Sequence, residues 1–260
     1  MKTHQDGPNS VAVRDLAKSF GRFTAVDGIS FDVGRGEIFG FLGPNGAGKT
    51  TTIRMLCGIL RPTSGTAFVG GYDIQRKPEK VKSVIGYMSQ RFTLYQDLTV
   101  SENIDFHAGI HLLPHAQKKE RKGWIVRMAG LVGRERALAG ELSGGWKQRL
   151  SLGCAIIHRP TILFLDEPTA SVDPAARREF WDLIYRQSEE GTTVFVTSHY
   201  MDEVERCGRI AIIDRGRIIA LGPPRDLKRQ FTGNDQSTLE EVFISAVGRE
   251  KDCPRPEIPD

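Results

Sequence analysis

One short stretch of the chain has the residue types and spacing of a phosphate-binding loop. It reads Gly43-Pro44-Asn45-Gly46-Ala47-Gly48-Lys49-Thr50-Thr51 and follows the pattern G-x-x-x-x-G-K-[ST]. Because glycine lacks Cβ, the backbone can turn sharply and bring successive amide groups close to a ligand. The Lys49 ammonium group adds a mobile charge for the outer phosphates, and the Thr50 hydroxyl is suited to Mg²⁺. The stretch predicts a nucleoside triphosphate site; the alternative is a glycine-rich turn that happens to precede a lysine.

A pair of carboxylates ends an apolar segment later in the chain. Residues 162–165 run directly into Asp166 and Glu167. A bare carboxylate is costly to bury unless it is paired, and beside a phosphate loop its partner is a metal ion. Asp166 is then placed to orient Mg²⁺, and Glu167 to accept a proton from water that attacks the γ-phosphate, a role worth about 10²–10⁴-fold. Taken alone, the segment also fits a strand with a polar end.

A third motif is Leu142-Ser143-Gly144-Gly145, which precedes a helical pattern. The first amides of a helix have no partner within the helix, and the helix dipole places positive charge there. With the Ser143 hydroxyl, this helix start predicts a second anion site.

Regular elements flank these motifs. Residues 37–42 form a short apolar strand before the loop, and Ile53, Leu56, Cys57 and Leu60 follow it with helical spacing. Thr99 and Glu102 form a capping-box pattern inside a region, about 92–157, that lacks strand patterns. Asp173 is predicted to cap a helix that ends before Gly191. Further strands are predicted at 11–16, 25–33, 66–69, 84–88, 161–166 and 192–197, with a hairpin at 210–213 and 217–220.

Composition limits the class of protein. The chain has 260 residues, 39% of them hydrophobic, and a net charge of +4, which suits one large α/β domain with an anionic ligand. Its basic run, residues 118–122, lacks the interleaved aromatic residues of single-strand nucleic-acid grooves, so no nucleic-acid partner is expected. The four cysteines are widely separated, which favours a reducing compartment. No apolar run approaches the ~20 residues of a spanning helix, and the N-terminus lacks a signal core.

The order of the motifs resembles the nucleotide-binding subunit of ABC transporters. Within residues 11–222 the motifs come in a fixed order: the phosphate loop, Gln90, Leu142 to Gly145, Asp166-Glu167, Asp173 and His199. The resemblance implies an α/β P-loop NTPase of the ABC ATPase fold, with a RecA-like core, an antiparallel β subdomain and an inserted α-helical subdomain. It divides the chain into a flexible arm (1–9), the ATPase domain (10–224, helical insert about 91–158) and a C-terminal helical extension with a disordered tail (225–260).

The resemblance also assigns roles to residues that the motifs alone leave open. Phe20 matches the aromatic residue that stacks on adenine, and Gln90 matches the glutamine that touches Mg²⁺ and the attacking water. His199 matches the histidine at the γ-phosphate. Asp173 matches the loop that crosses to a second subunit, whose Ser143-Gly144-Gly145 would cover the ATP. The alternatives are a core-packed Phe20, a surface Gln90, a structural His199 and a purely helix-capping Asp173.

Two departures and three longer segments refine the resemblance. Trp146 stands where the family usually has glutamine, and Ser171-Val172 where small residues or leucine are usual. Segments 87–100, 177–181 and 238–243 look like bacterial ABC-2 type exporters.

These features imply a Mg-ATP-dependent ATPase subunit that works as a dimer, expected to be a homodimer, with a separate ABC-2 permease at the cytoplasmic face of the inner membrane. A soluble ABC ATPase acting on ribosomes or another assembly is the second hypothesis. A P-loop kinase is the third, although it leaves Leu142 to Gly145 and His199 unexplained.

Overall fold

The structure is a computed structural model that describes residues 9–90, 94–170 and 172–251. Within this part, the strands are β1 (Asn9–Phe20), β2 (Phe23–Gly34), β3 (Ile38–Leu42), β4 (Ser64–Val69), β5 (Tyr72–Asp73), β6 (Ile85–Met88), β7 (Ile162–Asp166), β8 (Thr193–Ser198), β9 (Arg209–Asp214) and β10 (Arg217–Gly222). The helices are α1 (Lys49–Leu56), α2 (Pro78–Val84), α3 (Val100–Ile110), α4 (His115–Met128), α5 (Gly144–Ala155), α6 (Pro174–Glu189), α7 (Met201–Val204), α8 (Pro224–Thr232) and α9 (Leu239–Lys251).

The central sheet has six strands in the order β10-β9-β3-β8-β7-β6. The pairs from β9 to β6 are parallel, and β10 returns antiparallel to β9 as the predicted hairpin. Every residue of β3, β7 and β8 is buried, as expected for central parallel strands covered on both faces. The register sets Leu42 opposite Ser198 and Asp166 opposite Thr197. The C-terminal ends of β3, β7 and β8, which lead into the predicted site residues, therefore meet at one edge of the sheet.

A second, antiparallel sheet has the order β2-β1-β4-β5. Its Phe31 packs on the central sheet, with ring centroids 5.5 Å from Phe39 and 6.0 Å from Phe195. This aromatic cluster belongs to a continuous apolar core that joins the antiparallel sheet to the face of the parallel one.

The helical insert has a core of its own. Val100, Ile104, Ile125 and Leu150 are fully buried in a cluster formed by α3, α4, α5 and their connections. The predicted capping box is confirmed, because Thr99 accepts from the Glu102 amide and Glu102 accepts from the Thr99 amide. Residues 91–93 of this region lie outside the described residues.

Some predicted boundaries were wrong. The first helix ends at Leu56, not Leu60, since Gly58 adopts a left-handed conformation with φ of 67°. Val84 ends α2 and is not part of a strand. Asn9, assigned to the flexible arm, already pairs with Gly34 in β1. The rest of that arm, 1–8, and the end of the chain from Cys253, which is predicted to be disordered, lie outside the described residues.

The C-terminal helices pack on the core. Leu227 of α8 and Leu239 and Val242 of α9 are buried in the cluster on the other face of the central sheet. Among the described residues, no helix combines the length and the apolar character that crossing a membrane requires.

Candidate functional site

The loop between β3 and α1 has the tight geometry that its glycines predict. Gly46 and Gly48 have φ angles of 82° and 106°, a region that strongly favours glycine. A Cβ at Gly43 would lie 2.3 Å from the Ile213 carbonyl oxygen, and one at Gly48 would lie 2.4 Å from that of Ala25. The loop is therefore held close to neighbouring backbone, and α1 begins at its end.

The Lys49 side chain points back into this loop. Its Nζ atom donates to the carbonyl oxygens of Gly43 at 2.7 Å and Pro44 at 3.0 Å. It also lies 3.0 Å from Glu167 Oε1, and both side chains are more than nine-tenths buried. A buried ion pair of this kind costs much desolvation energy and is kept only with good additional contacts, which the two carbonyl groups supply.

Glu167 is the meeting point of three predicted residues. Lys49 pairs with the Oε1 atom of Glu167. The Oε2 atom of Glu167 accepts a hydrogen bond from Gln90 Nε2 at 3.1 Å and lies 3.1 Å from His199 Nδ1. Its backbone has a φ of 47°, which is strained for a residue with a Cβ. The Glu167 amide holds this conformation by donating to Thr197, to Oγ1 at 3.0 Å and to the carbonyl oxygen at 3.2 Å.

Asp166 lies beside this cluster and is 1% exposed. Its Oδ1 atom accepts from the hydroxyls of Thr50 at 3.1 Å and Thr197 at 2.9 Å. Burial raises the pKa of the Asp166 carboxyl, and the two hydroxyl bonds partly oppose that rise. A buried carboxylate next to a threonine hydroxyl offers the oxygen donors that Mg²⁺ prefers.

The donor set is compatible with a metal held mainly by phosphate. Among the described residues, no group of three or more His, Cys, Asp or Glu side chains is arranged as a metal site. Mg²⁺ in phosphate-transfer sites is commonly bound by only one or two carboxylates, with phosphate oxygens and water among its other ligands. Thr50, Gln90 and Asp166 are thus the side chains that fit this group.

A cavity of about 390 Å³ opens over the loop, a size within the usual range for small-molecule sites. Its lining includes the predicted residues Asn45, Gly46, Gly48, Lys49, Thr50, Thr51, Gln90 and Glu167. Pro44 is exposed beside it, and Ala47 is buried beneath it, where its carbonyl oxygen accepts from the Gly216 amide at 3.0 Å.

The aromatic residue at the cavity is Phe23, which our sequence interpretation missed. Phe23 is 63% exposed and lines the cavity, whereas Phe20 does not line it. Phe20 is 49% exposed and carries the Lys18 ammonium group 5.0 Å from its ring centroid, so it is not packed in the core. Phe20 and Phe23 are backbone partners across a two-residue turn between β1 and β2, a proximity that the spacing Phe-Gly-Arg-Phe could have indicated.

Two predicted regions stand apart from the cavity. Ser143 is the exposed N-cap of α5, with Gly144 and Gly145 in the first turn, and none of these residues lines the cavity. Asp173 caps α6, as predicted, by accepting from the amides of Ala175 at 3.1 Å and Ala176 at 3.0 Å. Ser171 lies outside the described residues.

Comparison with known proteins decides the family. The profile described as ABC transporter matches residues 26–170, more than half of the 260-residue chain. The chain belongs to this family. A second profile, described as an AAA domain, matches the shorter stretch 139–203.

Curated relatives of this ABC domain include a transporter protein and a resistance protein. The probable multidrug ABC transporter ATP-binding protein YbhF of Escherichia coli is 46% identical over 243 residues, which are 93% of this chain and 42% of YbhF. The chain thus spans about two fifths of the length of YbhF. The linearmycin resistance ATP-binding protein LnrL of Bacillus subtilis is 41% identical over 90% of this chain and 77% of LnrL.

A solved structure confirms the predicted ABC ATPase fold. The ATP-binding subunit of an ABC transporter superposes with a TM-score of 0.82 at 28% identity, over 91% of this chain and 99% of that subunit. The ABC domain described here is therefore an ATP-binding domain of the ATPase class.

Proposed function

We propose that the chain is the ATP-hydrolysing subunit of an exporter whose membrane-spanning permease is a separate, ABC-2 type protein. The observation that carries the proposal is the set of contacts on Glu167, where Lys49, Gln90 and His199 meet over a phosphate loop. The names of YbhF and LnrL, a probable multidrug transporter protein and a resistance protein, support export as the process.

In this proposal the loop amides and the start of α1 bind the ATP phosphates. Lys49 exchanges the carbonyl oxygens of Gly43 and Pro44, and the Glu167 carboxylate, for phosphate oxygens. Glu167 then accepts a proton from the attacking water, which Gln90 orients, and His199 contacts the γ-phosphate. Thr50, Gln90 and Asp166 would hold Mg²⁺, which would neutralise phosphate charge when bound.

A second copy of this chain completes the site. Ser143 and Gly144 are exposed at a helix start, yet they do not line the cavity over the loop of their own chain. A head-to-tail pair brings the helix start of one copy onto the ATP of the other, and Asp173 lies on the segment that crosses between them. Because such closure needs ATP, binding drives association and hydrolysis drives release.

The permease contact is assigned to exposed apolar residues of the helical insert. Tyr95 and Phe106 are 46% and 41% exposed and pack edge to face with ring centroids 4.7 Å apart. Ile110, on the same helix as Phe106, is 58% exposed. Exposed apolar clusters of this kind commonly mark protein interfaces, and docking here places the chain at the cytoplasmic membrane face.

The proposal is tested by hydrolysis and by membrane recruitment together. We expect the purified chain to hydrolyse ATP slowly, with Mg²⁺ dependence and cooperativity, and Lys49→Ala to abolish the activity. Co-expressed with its permease, tagged wild-type chain should be recovered from membranes, whereas Phe106→Asp/Ile110→Asp should stay in the supernatant with unchanged basal hydrolysis. Val132→Asp, at another exposed apolar residue, is the matched control. Stimulation by ribosomes, without membrane recruitment, would favour the soluble alternative.

A further inference from the structure

A buried carboxylate lies behind the candidate site and has no part in the mechanism above. Glu203 is 2% exposed and belongs to the short helix α7 that follows β8. Its Oε2 atom accepts from the Ser198 hydroxyl at 2.8 Å, and its Oε1 atom accepts from the Thr169 hydroxyl. Thr169 and Ser198 are each 1% exposed, so all three polar groups are removed from water.

A cation from a third element joins this carboxylate. Arg177 Nε, on α6, lies 3.2 Å from Glu203 Oε1 as an ion pair, although its N–H is not aligned for a hydrogen bond. The same guanidinium group stacks on the Tyr200 ring at 4.6 Å, and the Tyr200 hydroxyl contacts the Ala170 carbonyl oxygen at 3.5 Å. Arg177 thus contacts both the Glu203 carboxylate and the Tyr200 ring, and Tyr200 in turn contacts Ala170, the residue after Thr169.

The partners of Glu203 come from the segments that carry the candidate site. Thr169 stands between Glu167 and Asp173 in the chain, and Ser198 immediately precedes His199. Arg177 lies one turn after Asp173, and its amide donates to the Asp173 carbonyl oxygen at 3.0 Å. One buried side chain therefore ties the loop that contains Asp173 to the strand end that presents His199.

We propose that Glu203 is a positioning residue that fixes His199 relative to Thr169 and Asp173. This inference rests on the proposed function, since it assigns a role in ATP hydrolysis. Glu203 contacts none of the residues proposed to bind phosphate; it acts through Ser198, Thr169 and Arg177. A movement of His199 toward the γ-phosphate is thereby transmitted to Thr169 and Asp173, so association with the second copy and catalysis are linked.

The chemistry of the network favours positioning over simple core filling. A buried charge is costly, and an apolar side chain of similar volume commonly supports stability as well or better. Hydrogen bonds to a carboxylate are short and directional, so they fix the relative placement of their donors more sharply than apolar packing does. Glu205, two residues later, is exposed and pairs outward with Lys228 at 2.7 Å, so it provides a matched acidic control.

The test measures the ATPase kinetics and thermal unfolding of the full chain for Glu203→Gln, Glu205→Gln and wild type. We expect Glu203→Gln to lower kcat about 10- to 100-fold, the effect of a misplaced group, while KM for ATP stays near wild type. Glu205→Gln should keep both constants. Thr169→Val is measured alone and combined with Glu203→Gln; the double variant should be no slower than the slower single variant, because Thr169 acts through its contact with Glu203.

A purely structural role gives a different result. Glu203→Gln would then lower the unfolding temperature but leave kcat per folded molecule unchanged, and that outcome overturns the proposal. The proposal is also overturned if the kcat of the double variant is reduced by the product of the reductions in the two single variants. If Glu203→Gln does not fold, Ser198→Ala removes one of the two contacts; a reduced kcat at unchanged KM supports the proposal, and an unchanged kcat refutes it.

Parallel measurements separate this inference from the proposed function. If wild type hydrolyses ATP and Glu167→Gln does not, while Glu203→Gln is as fast as wild type, only the positioning role fails. If wild type itself shows no hydrolysis alone or with its permease, the proposed function fails first.

Discussion

The loop at residues 43–48 and the start of α5 at Ser143 are both glycine-rich helix starts, yet their surroundings differ. The first is enclosed: Lys49 and Glu167 are buried and paired, and the loop contacts backbone on two sides. At the second, Ser143 and Gly144 face solvent, and the Ser143 side chain makes no capping bond. The two helix starts predicted to bind anions thus differ in how far their own chain encloses them.

Under the proposed function, this contrast explains how one chain binds ATP without closing the site. The enclosed half contains Lys49 and Glu167, the charged groups proposed to hold phosphate and to activate water, and contacts within the chain fix their placement. The exposed half presents the Ser143 hydroxyl and the first amides of α5 to solvent, where a second copy is proposed to bring its ATP. In this proposal, hydrolysis is conditional on association.

The largest expected effect comes from removing the carboxylate of the enclosed half. Glu167→Gln should reduce ATP hydrolysis by about 10²–10⁴-fold, the contribution of a general base. The side-chain amide that Glu167→Gln introduces still accepts hydrogen bonds. Before ATP arrives, the carbonyl oxygens of Gly43 and Pro44 still hold Lys49 at the loop, so ATP should still bind. Size-exclusion chromatography with Mg-ATP should therefore show an accumulated dimer. Glu240→Gln, at an exposed position in the first turn of α9, serves as the control; wild-type turnover by Glu167→Gln would refute the assignment.

The next largest effect tests the exposed half. Ser143→Arg should reduce hydrolysis by about 10²-fold, because it misplaces the second set of donors. Cooperativity in ATP should disappear, while nucleotide binding to the single chain stays intact. Hydrolysis against ATP concentration and equilibrium binding of a fluorescent nucleotide measure the two effects.

Mixing two impaired variants shows where Ser143 acts. Lys49→Ala is expected to be inactive and Ser143→Arg strongly impaired, but a mixed dimer contains one site with an intact loop and an intact helix start. Partial recovery of hydrolysis on mixing supports a shared site. If mixing restores nothing while the variants still associate, the helix start serves its own chain instead.

A third prediction concerns the energetic cost of the enclosed half. Because burial raises the pKa of Asp166, the folded chain binds this proton more tightly than the unfolded chain does. The ionised carboxylate therefore costs stability, and the cost grows as pH rises above the ordinary value of 3.8. Asp166→Asn keeps an acceptor for Thr50 and Thr197, and should raise the unfolding temperature by about 2–4 °C at neutral pH, the shift that ~1 kcal/mol gives.

The measurement is thermal unfolding without Mg²⁺ or nucleotide, repeated at decreasing pH. The advantage of Asp166→Asn should shrink toward acid pH, where wild type is protonated as well. ATP hydrolysis should be lost in the same variant. Lower stability at neutral pH would show that the carboxylate is not strained in the fold.

The parts of this molecule that the sequence predicts are those whose geometry is local. The loop, its flanking strand and helix, the Thr99 capping box and the Asp173 cap follow from neighbouring residues, and the structure reproduces them. Asp166 and Glu167 could be placed beside the loop because parallel strands present their carboxyl ends at one edge of a sheet.

What could not be predicted depends on contacts between distant segments. Glu203 has no motif, and its meeting with Thr169 and Arg177 is set by the packing of β7, α6 and α7. The position of Phe23 at the cavity depends on how the antiparallel sheet rests on the parallel one. The ending of the first helix at Leu56 follows from the conformation of Gly58, which competes with a helical pattern of apolar residues.

A further effect of similar size, confined to acid pH, tests the boundary between the core and the helical insert that carries Ser143. His158, after α5, stacks on His111 at the end of α3 with ring centroids 3.6 Å apart, and its Nε2 lies 2.9 Å from the Ile85 carbonyl oxygen. Burial, aided by the charges of His111 and Arg121 and opposed by the Ile85 contact, lowers the pKa of His158 to about 4. Burial also lowers the pKa values of His107 and His111.

The sign of the pH effect follows from these shifts. The folded chain binds the His158 proton less tightly than the unfolded chain, so this stabilising contribution is present above pH 6.5 and is lost as pH falls toward 4. His158→Gln can still donate to Ile85 but does not titrate, and it should reduce the acid-induced fall in unfolding temperature by about 2–4 °C, or ~1 kcal/mol. His115→Gln, at an exposed histidine, should leave the fall unchanged. If the unfolding temperature falls equally in wild type and in His158→Gln, protonation of His158 does not loosen the contact between the insert and the core. The insert would then keep Ser143 in place against the core at acid pH.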